Sequence, residues 1–193
     1  MNKLKIVIAY DGSQFKGCQI QPGEKTVQNS LELAIKKVAH AKIKVHGSGR
    51  TDTGVHALGQ VAHFEIPLES RMTAQEWQRA INVNLPPTIR VLSAELVSID
   101  FHARFSAIRR CYEYKIINRR HPLTIDKYRA WCVYKKINVE KISESKLQLE
   151  SEKSKFKLNC IDPQEFPLME DGFEVEEISL DLSLIHISEP TRR

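Results

Sequence analysis

The hydrophobic pattern of residues 3–97 switches between a two-residue period and a helical period, and this switching restricts the possible folds more than any other feature of the chain. Lys3–Tyr10 alternates apolar and polar side chains and is rich in β-branched residues, which predicts a strand that ends at the Asp11-Gly12 turn. From Thr26, a favourable helix N-cap, apolar residues recur at helical spacing. The start of the chain therefore predicts a strand followed by a helix.

The same reasoning extends the pattern to residue 97. Lys42–Val45 predicts a short strand and Gln60–Ile66 a longer one. Thr73 and Glu76 have the spacing of a capping box ahead of a second amphipathic helix, and Ile89–Val97 predicts another strand. The order β-α-β-β-α-β is that of a ferredoxin-like fold, so we predict an α+β protein with a ferredoxin-like first domain over residues 1–103. That architecture hosts many functions and by itself identifies none.

The sequence after residue 103 predicts a second, incomplete α+β domain over residues 104–182. Alternation from Tyr112 to Ile117 predicts its first strand, residues 138–150 favour a helix, and Glu174–Leu182 favours a strand. These elements do not amount to a second β-α-β-β-α-β set. Residues 183–193, SLIHISEPTRR, show no interpretable period, and we expect them to be a non-native or disordered tail.

Composition places the chain among ordinary soluble globular proteins, with 41% hydrophobic and 27% charged residues. No apolar run approaches the roughly 18 residues that span a bilayer, and the N-terminus lacks a signal-peptide cleavage site. We therefore expect a cytoplasmic protein with no membrane partner. The four cysteines are widely spaced and form no CxxC pair, which argues against a disulfide framework or a zinc site.

Basic residues are concentrated in the first two thirds of the chain. Residues 1–136 hold 22 Lys and Arg against 11 Asp and Glu, whereas residues 137–193 hold 7 against 13. Within 104–136, aromatic residues such as Tyr112 and Trp131 are interleaved with ten basic residues. Such a zone suits an RNA partner, because phosphates attract cations and bases stack on rings. A solvated surface above core aromatics explains the same composition, and charge alone does not decide between the two.

The stretch HGSGRTDTGVHA, residues 46–57, places Arg50 two residues before Asp52 among three glycines. Its spacing matches neither GxxxxGK[ST] nor GxGxxG, so the two common phosphate-binding glycine motifs are excluded. An aspartate in a glycine loop is often only a turn former. Beside an arginine, however, we expect Asp52 to stay a carboxylate, which suits a nucleophile or an electrostatic stabiliser. For His56 and His63, we expect structural or hydrogen-bonding roles.

Four stretches together resemble one family. The stretch GRTDTGVHALGQVAHF is similar to the signature of the TruA family of tRNA pseudouridine synthases. YDGSQFKGCQIQP with TVQNSLE, then NVNLPPTIRV, then FHARFSAIRRCYEYKI resemble further segments of that family and follow in the family's order. The resemblance covers roughly residues 4–123. It implies a pseudouridine synthase fold.

The resemblance also implies an activity and its residues. Family members convert uridine to pseudouridine at positions 38 to 40 of the tRNA anticodon stem-loop, without cofactor or metal, as homodimers. It implies Asp52 as the nucleophile, Arg50 as its partner that also helps to evict the target base, and Tyr112 as the ring that packs on the target uracil. Attack at C1′ and a glycal route both stay open.

We expect five arginines to hold tRNA phosphates and so to position the RNA without reading its bases. They are Arg104, Arg109, Arg110, Arg119 and Arg120. Arg104 lies inside the matched FHARF stretch and is the strongest candidate among them.

The chain also departs from the family pattern. Cys18 stands where the family opening has tryptophan, and the helix that closes the far wall of the cleft in the family's second half is absent. The chain therefore resembles an N-terminal portion of such an enzyme, and a second hypothesis is a tRNA-binding fragment without catalysis. A third hypothesis is a ferredoxin-like module whose glycine loop holds a small anion.

Overall fold

The computed structural model describes residues 2–67, 69–108, 110, 112–135, 137, 157–160 and 176–181. The chain divides into two compact units, Met1–Ala107 and Ile108–Arg193. Both contain sheet structure and the first also contains two helices, so the predicted α+β class is confirmed. Within the described ranges, no helix combines the length and apolar character needed to cross a membrane.

The first unit is a four-stranded sheet with two helices. Its elements are β1 (Asn2–Tyr10), a 3₁₀ turn (Gly12–Gln14), α1 (Val27–Ala39), β2 (His46–Gly47), β3 (Ala57–Ile66), α2 (Ala74–Asn84) and β4 (Ile89–Val97). The strands lie in the order β2-β3-β1-β4, and each neighbouring pair is antiparallel. Strands and helices thus follow in the predicted order, with β1 and β3 at the centre of the sheet.

One face of this sheet carries the core. Leu4, Ile6 and Ile8 alternate along β1 and are almost fully buried, and the register sets Leu4 opposite Phe64 of β3. The buried residues of both helices join the same cluster: Val27, Leu31, Ala34 and Ile35 of α1, and Trp77 and Ile81 of α2. Both helices therefore cover the same face of the sheet. Burial of apolar surface between the two layers is the main contribution to their stability.

The helix starts lie at the residues that the sequence predicts. The Thr26 side chain accepts a hydrogen bond from the Asn29 N–H at 3.3 Å and begins α1. At α2, the Thr73 hydroxyl accepts from the Glu76 N–H at 3.3 Å, while a Glu76 carboxylate oxygen accepts from the Thr73 N–H at 2.7 Å. The predicted capping box is confirmed. At the start of each helix, the threonine side chain accepts from an N–H group that has no partner within the helix.

The prediction of a strand at Lys42–Val45 is wrong, because the strand in this region is His46–Gly47. The Val45 N–H donates to Glu32 Oε1 at 3.0 Å, and its carbonyl oxygen accepts from Gln28 Nε2 at 2.9 Å. Side chains of α1 therefore satisfy the backbone groups that a strand partner would otherwise take. Pairing with β3 begins only at His46, opposite His63.

The described residues of the second unit form four short strands, β5 (Glu113–Asn118), β6 (Trp131–Val133), β7 (Lys157–Cys160) and β8 (Glu176–Asp181). Their order is β6-β5-β8-β7, with β5 and β6 parallel and the other pairs antiparallel. The strands predicted near residues 112–117 and 174–182 are confirmed as β5 and β8. The predicted helix at 138–150 and the tail 183–193 lie outside the described residues.

Candidate active site

The loop of residues 48–56 joins β2 to β3 and carries Arg50 and Asp52. The antiparallel pairing continues into its start, where the Ser48 N–H donates to the Val61 carbonyl at 2.8 Å. Near its end, the Val55 N–H donates to the Asp52 carbonyl at 3.2 Å and closes a tight turn. Between these two bonds, the loop is held by contacts with distant parts of the first unit.

A partly buried polar network fixes the residues on either side of Arg50. The Tyr10 hydroxyl donates to Gln60 Oε1 at 2.7 Å and lies 2.8 Å from Thr51 Oγ1. Because the single hydroxyl proton of Tyr10 goes to Gln60, the Thr51 hydroxyl is the donor to Tyr10. Gln60 Nε2 donates in turn to the Gly49 carbonyl at 2.7 Å. Gly49 and Thr51 are thereby tied to β1 and β3.

A second loop, residues 11–18 after β1, also holds the 48–56 loop. The Cys18 N–H donates to the Thr51 carbonyl at 3.0 Å, and the Gly54 N–H donates to the Phe15 carbonyl at 3.3 Å. Phe15 and Cys18 are buried, so their side chains anchor the 11–18 loop in the core beside these bonds. Burial raises the pKa of the Cys18 thiol, which therefore remains neutral and acts as packing.

Two glycines allow the two loops to approach each other closely. A Cβ at Gly12 would overlap the Val55 carbonyl oxygen, far inside the normal contact distance of the two atoms, and one at Gly17 would lie 2.9 Å from the Thr51 carbonyl oxygen. Gly17 also has a φ of +89°, a conformation that L residues with side chains rarely adopt. Any larger residue at either position would displace the backbone of the 48–56 loop.

His56, at the end of the loop, also contacts residues 11–18. Its Nδ1 accepts a hydrogen bond from the Gly12 N–H at 3.3 Å and lies 3.3 Å from Asp11 Oδ1. The first contact uses a neutral ring, whereas the second becomes an ion pair only when the imidazole is protonated. This agrees with the hydrogen-bonding role that we predict for His56.

Arg50 and Asp52 are exposed, although their backbone neighbours are fixed. Among the residues that the structure describes, no ion pair joins the two side chains, so the expected pairing is not formed. Exposed ion pairs gain little free energy because water solvates both charges, which is the physical reason that the two groups stay apart. The structure brings both residues to one loop and leaves both side chains directed at a groove.

That groove has a volume of about 430 Å³. Its lining residues are Lys16, Gly17, Gln19, Gln21, Arg50, Thr51, Asp52 and Thr53. Lys16, Gln19 and Gln21 are site residues that our reading of the sequence missed. They belong to the matched stretch YDGSQFKGCQIQP, which was the only signal in the sequence that could have pointed to them. The groove therefore places two cations, Lys16 and Arg50, around one carboxylate.

The other predicted site residues are divided between the two units. Arg104 is exposed and belongs to the first unit with Asp52, whereas Tyr112, Arg110 and Arg120 belong to the second. Arg119 is also in the second unit. Its Nε donates to the His121 carbonyl at 2.9 Å and its Nη2 donates to the Pro122 carbonyl at 2.7 Å. Arg109 lies outside the described residues.

Three histidine rings meet on the sheet face opposite the helices. His63 is only 2% exposed, its ring stacks on His46 with centroids 5.2 Å apart, and His102 lies 4.7 Å away. Burial, followed by the charges of His102, His46 and Lys3, lowers the pKa of His63 to about 4. Among the described residues, no group of His, Cys, Asp and Glu side chains is placed to hold a metal ion.

Comparisons with known proteins find relatives over much of the chain. A family model described as tRNA pseudouridine synthase matches residues 6–106. The chain is 52% identical over 116 residues to the tRNA pseudouridine synthase A of Maridesulfovibrio salexigens. The matched region covers 60% of this chain and 42% of the relative. It is 48% identical over 141 residues to that of Rhodopseudomonas palustris strain HaA2, covering 72% of this chain and 57% of the relative.

A further relative is the tRNA pseudouridine synthase A of Bacillus licheniformis, which is 45% identical over 145 residues. That match covers 74% of this chain and 58% of the relative. The chain thus spans about half the length of the curated relatives that it matches.

We predict that Gly12→Ala destabilises the first unit, because the added methyl group forces the Val55 backbone to move. The free energy of unfolding should fall by about 2 kcal/mol or more in urea denaturation. Gly59→Ala is the matched control, since a Cβ there would meet only Val7 Cγ1 at an ordinary 3.7 Å. Equal stability of the two variants would refute the close approach of the two loops.

We also predict a pH dependence of stability from His63. Its pKa falls on folding from 6.5 to about 4, so the unfolded chain binds more protons between these values. The stability that the neutral His63 ring contributes is complete above about pH 6.5 and is lost as the pH falls towards 4. Compared with His63→Gln, the wild-type chain should lose stability more steeply in this range, by up to about 1.4 kcal/mol per pH unit. Urea denaturation at several pH values measures the difference, and the exposed His121→Gln serves as control. Identical slopes for wild type and His63→Gln would contradict the assignment.

Proposed function

The chain belongs to the tRNA pseudouridine synthase family, and from this membership we propose that it converts uridine to pseudouridine at positions 38 to 40 of the tRNA anticodon stem-loop, with Asp52 as the nucleophile. The observation that carries the proposal is the contrast within the 48–56 loop. Its backbone is held by the Tyr10–Gln60 network, while the Asp52 carboxylate is exposed at a groove. A reactive group held in this way loses little freedom when a substrate binds, which lowers the entropic barrier to reaction.

The proposed reaction is an isomerisation in which every atom of the uridine except one exchanged proton is retained. The bond between uracil N1 and ribose C1′ breaks, the uracil rotates, and a new bond joins C5 to C1′. The proton at C5 leaves to solvent and N1 takes up another. Asp52 either attacks C1′ directly or assists formation of a glycal, and both routes use a carboxylate at the sugar. Since no electrons are gained or lost overall, the proposed reaction needs no redox cofactor.

Access to C1′ and C5 requires that the target nucleotide leave its stack, because both atoms are shielded in a stem. Arg50 is the residue that we propose to help evict the target base from its stack. Arg50 and Lys16 line the groove beside Asp52, and their positive charges support the proposal that RNA phosphates bind at this groove. Tyr112 is proposed to pack on the uracil ring.

The arginines differ in how well they suit a phosphate-binding role. Arg104 and Arg120 are exposed, and Arg110 is partly exposed. Arg119 is only partly exposed and donates two hydrogen bonds to carbonyls of its own loop, so we propose a minor role for it in phosphate binding. Arg109 remains a candidate from the sequence alone.

A second candidate function, which the sequence leaves open, is a tRNA-binding fragment without catalysis. The chain matches 42% to 58% of the length of the relatives. A tRNA-binding fragment without catalysis would need the first unit and its groove but not the remaining walls of a cleft. Both functions require tRNA binding, and they differ only in whether Asp52 reacts.

Three finer properties complete the proposal. The β2-β3-β1-β4 order supports a ferredoxin-like first domain within a pseudouridine synthase fold. A homodimer and a cytoplasmic location are proposed from the family resemblance and from the tRNA substrate.

We predict that the chain releases tritium from tRNA labelled at uridine C5, and that Asp52→Asn lowers this release by at least about a thousandfold. The substitution keeps the size of the side chain and removes its nucleophilic charge. Filter retention should show that Asp52→Asn still binds tRNA. Asp100→Asn, at another exposed aspartate of the first unit, should release tritium at the wild-type rate.

The possible results separate the two functions. Tritium release that persists in Asp52→Asn would exclude Asp52 as the nucleophile. Retention of tRNA without any release by the wild-type chain would favour the binding fragment over the enzyme.

A further inference from the structure

The face of the first sheet that points away from the helices carries a histidine that the proposed chemistry does not use. His63 of β3 lies opposite Lys5 of β1 and opposite His46 of β2. Its neighbour Phe64 faces the core, so alternation directs His63 to the other face. An outward-facing histidine would normally be exposed, yet His63 is only 2% exposed. Something other than a helix must therefore cover it.

The cover is the segment that follows β4. The Phe101 ring meets the His63 ring edge-on at 5.8 Å, and His102 lies 4.7 Å from it. Lysines of β1 secure the same segment, since Lys3 Nζ donates to the Phe101 carbonyl at 3.0 Å and Lys5 Nζ lies 5.9 Å above the Phe101 ring. The segment is thus packed directly on the sheet.

One hydrogen bond ties the backbone of this segment to His63. The Ala103 N–H donates to His63 Nδ1 at 3.1 Å, and both residues are 2% exposed. A buried N–H without an acceptor costs free energy, so this bond fixes both the place and the direction of the Ala103 peptide. The low pKa of His63 keeps the ring neutral and Nδ1 able to accept.

Ala103 lies within a compact turn, residues 102–106. The Ser106 N–H donates to the His102 carbonyl at 2.8 Å, the His102 N–H donates to Ser106 Oγ at 3.1 Å, and the Arg104 N–H donates to His102 Nδ1 at 3.2 Å. These bonds make the turn a rigid unit. The bond between Ala103 and His63 joins this turn to the sheet and so contributes to its orientation.

The turn presents a cation and a ring side by side. Arg104 is exposed and Phe105 is 74% exposed, and the Arg104 guanidinium carbon lies 5.8 Å from the centre of the Phe105 ring. A guanidinium next to an exposed ring matches one nucleotide step of RNA, because the cation meets a phosphate and the ring stacks on a base.

We propose that His63 is a positioning residue for tRNA binding, which acts by fixing the 102–106 turn so that Arg104 and Phe105 together contact one phosphate and one base. This inference rests on the proposed function, since it needs tRNA as the partner. It assigns a function to a buried side chain that touches no RNA itself. A histidine with only a packing role would instead affect the stability of the first unit and not its affinity for tRNA.

A double-mutant cycle on tRNA affinity tests the proposal. Its members are the wild-type chain, His63→Phe, Arg104→Ala and the double variant. His63→Phe keeps a ring of similar shape and removes the acceptor for the Ala103 N–H. Arg104→Ala should weaken binding about fivefold or more and should reduce the slope of log affinity against log salt by nearly one. His63→Phe should weaken binding by a similar factor, and the double variant should bind no more weakly than Arg104→Ala.

Two further variants separate positioning from folding. His63→Gln retains a neutral acceptor and should recover much of the affinity that His63→Phe loses. His46→Phe changes the stacked ring and leaves the acceptor at His63 in place, so it should bind tRNA as the wild-type chain does. In hydrogen exchange, the Ala103 amide should exchange at least about tenfold faster in His63→Phe than in the wild-type chain.

Several results would overturn the inference, and they are distinguishable from failure of the proposed function. Additive effects of His63→Phe and Arg104→Ala, or an unchanged Ala103 amide, would refute the positioning role while leaving tRNA binding intact. A wild-type chain with no measurable tRNA affinity would overturn the proposed function and this inference together.

Discussion

The hydrogen bonds of the Tyr10 hydroxyl hold together the part of the molecule on which the proposed chemistry depends. The 48–56 loop has almost no regular structure, so its shape is set by contacts from outside. Tyr10 at the end of β1 and Gln60 in β3 hold Gly49 and Thr51, the residues on either side of Arg50. The side chains of Arg50 and Asp52 can then be exposed without the backbone being mobile, because the cost of ordering the loop is met by folding and not by substrate binding.

The same division between fixed backbone and exposed side chain recurs at the 102–106 turn. There a buried histidine accepts one peptide N–H and the neighbouring Arg104 is exposed. In both places a strand of the first sheet supplies the polar side chain that holds the backbone, Gln60 in one case and His63 in the other. These residues lie three apart in β3 and so point to opposite faces, which lets one strand support two separate surfaces.

Much of the first unit could be predicted from the sequence because its elements are set by local patterns. The alternation of Lys3–Tyr10 and the capping box at Thr73 depend on neighbours a few residues away, and both were predicted correctly. The strand at Lys42–Val45 was wrong because distant side chains, Gln28 and Glu32, take its hydrogen bonds. Local patterns do not reveal contacts between residues that are distant in the sequence. The bond from Tyr10 to Gln60, fifty residues apart, therefore had no signature in the sequence. For the site, resemblance pointed to Asp52 and Arg50, whereas Lys16 emerged only when the fold placed it at the groove.

The most direct test of the central claim is amide hydrogen exchange of Cys18 and Gly54 in the wild-type chain and in Tyr10→Phe. Their N–H groups donate to Thr51 and Phe15 across the contact between the two loops, and they report the loop whether or not the chain turns over tRNA. If the Tyr10 hydroxyl fixes the loop, both amides should exchange at least about tenfold faster in Tyr10→Phe, while the Trp77 amide of α2 keeps its protection. Unchanged exchange at Cys18 and Gly54 would show that the loop holds its shape without this network and would contradict the account.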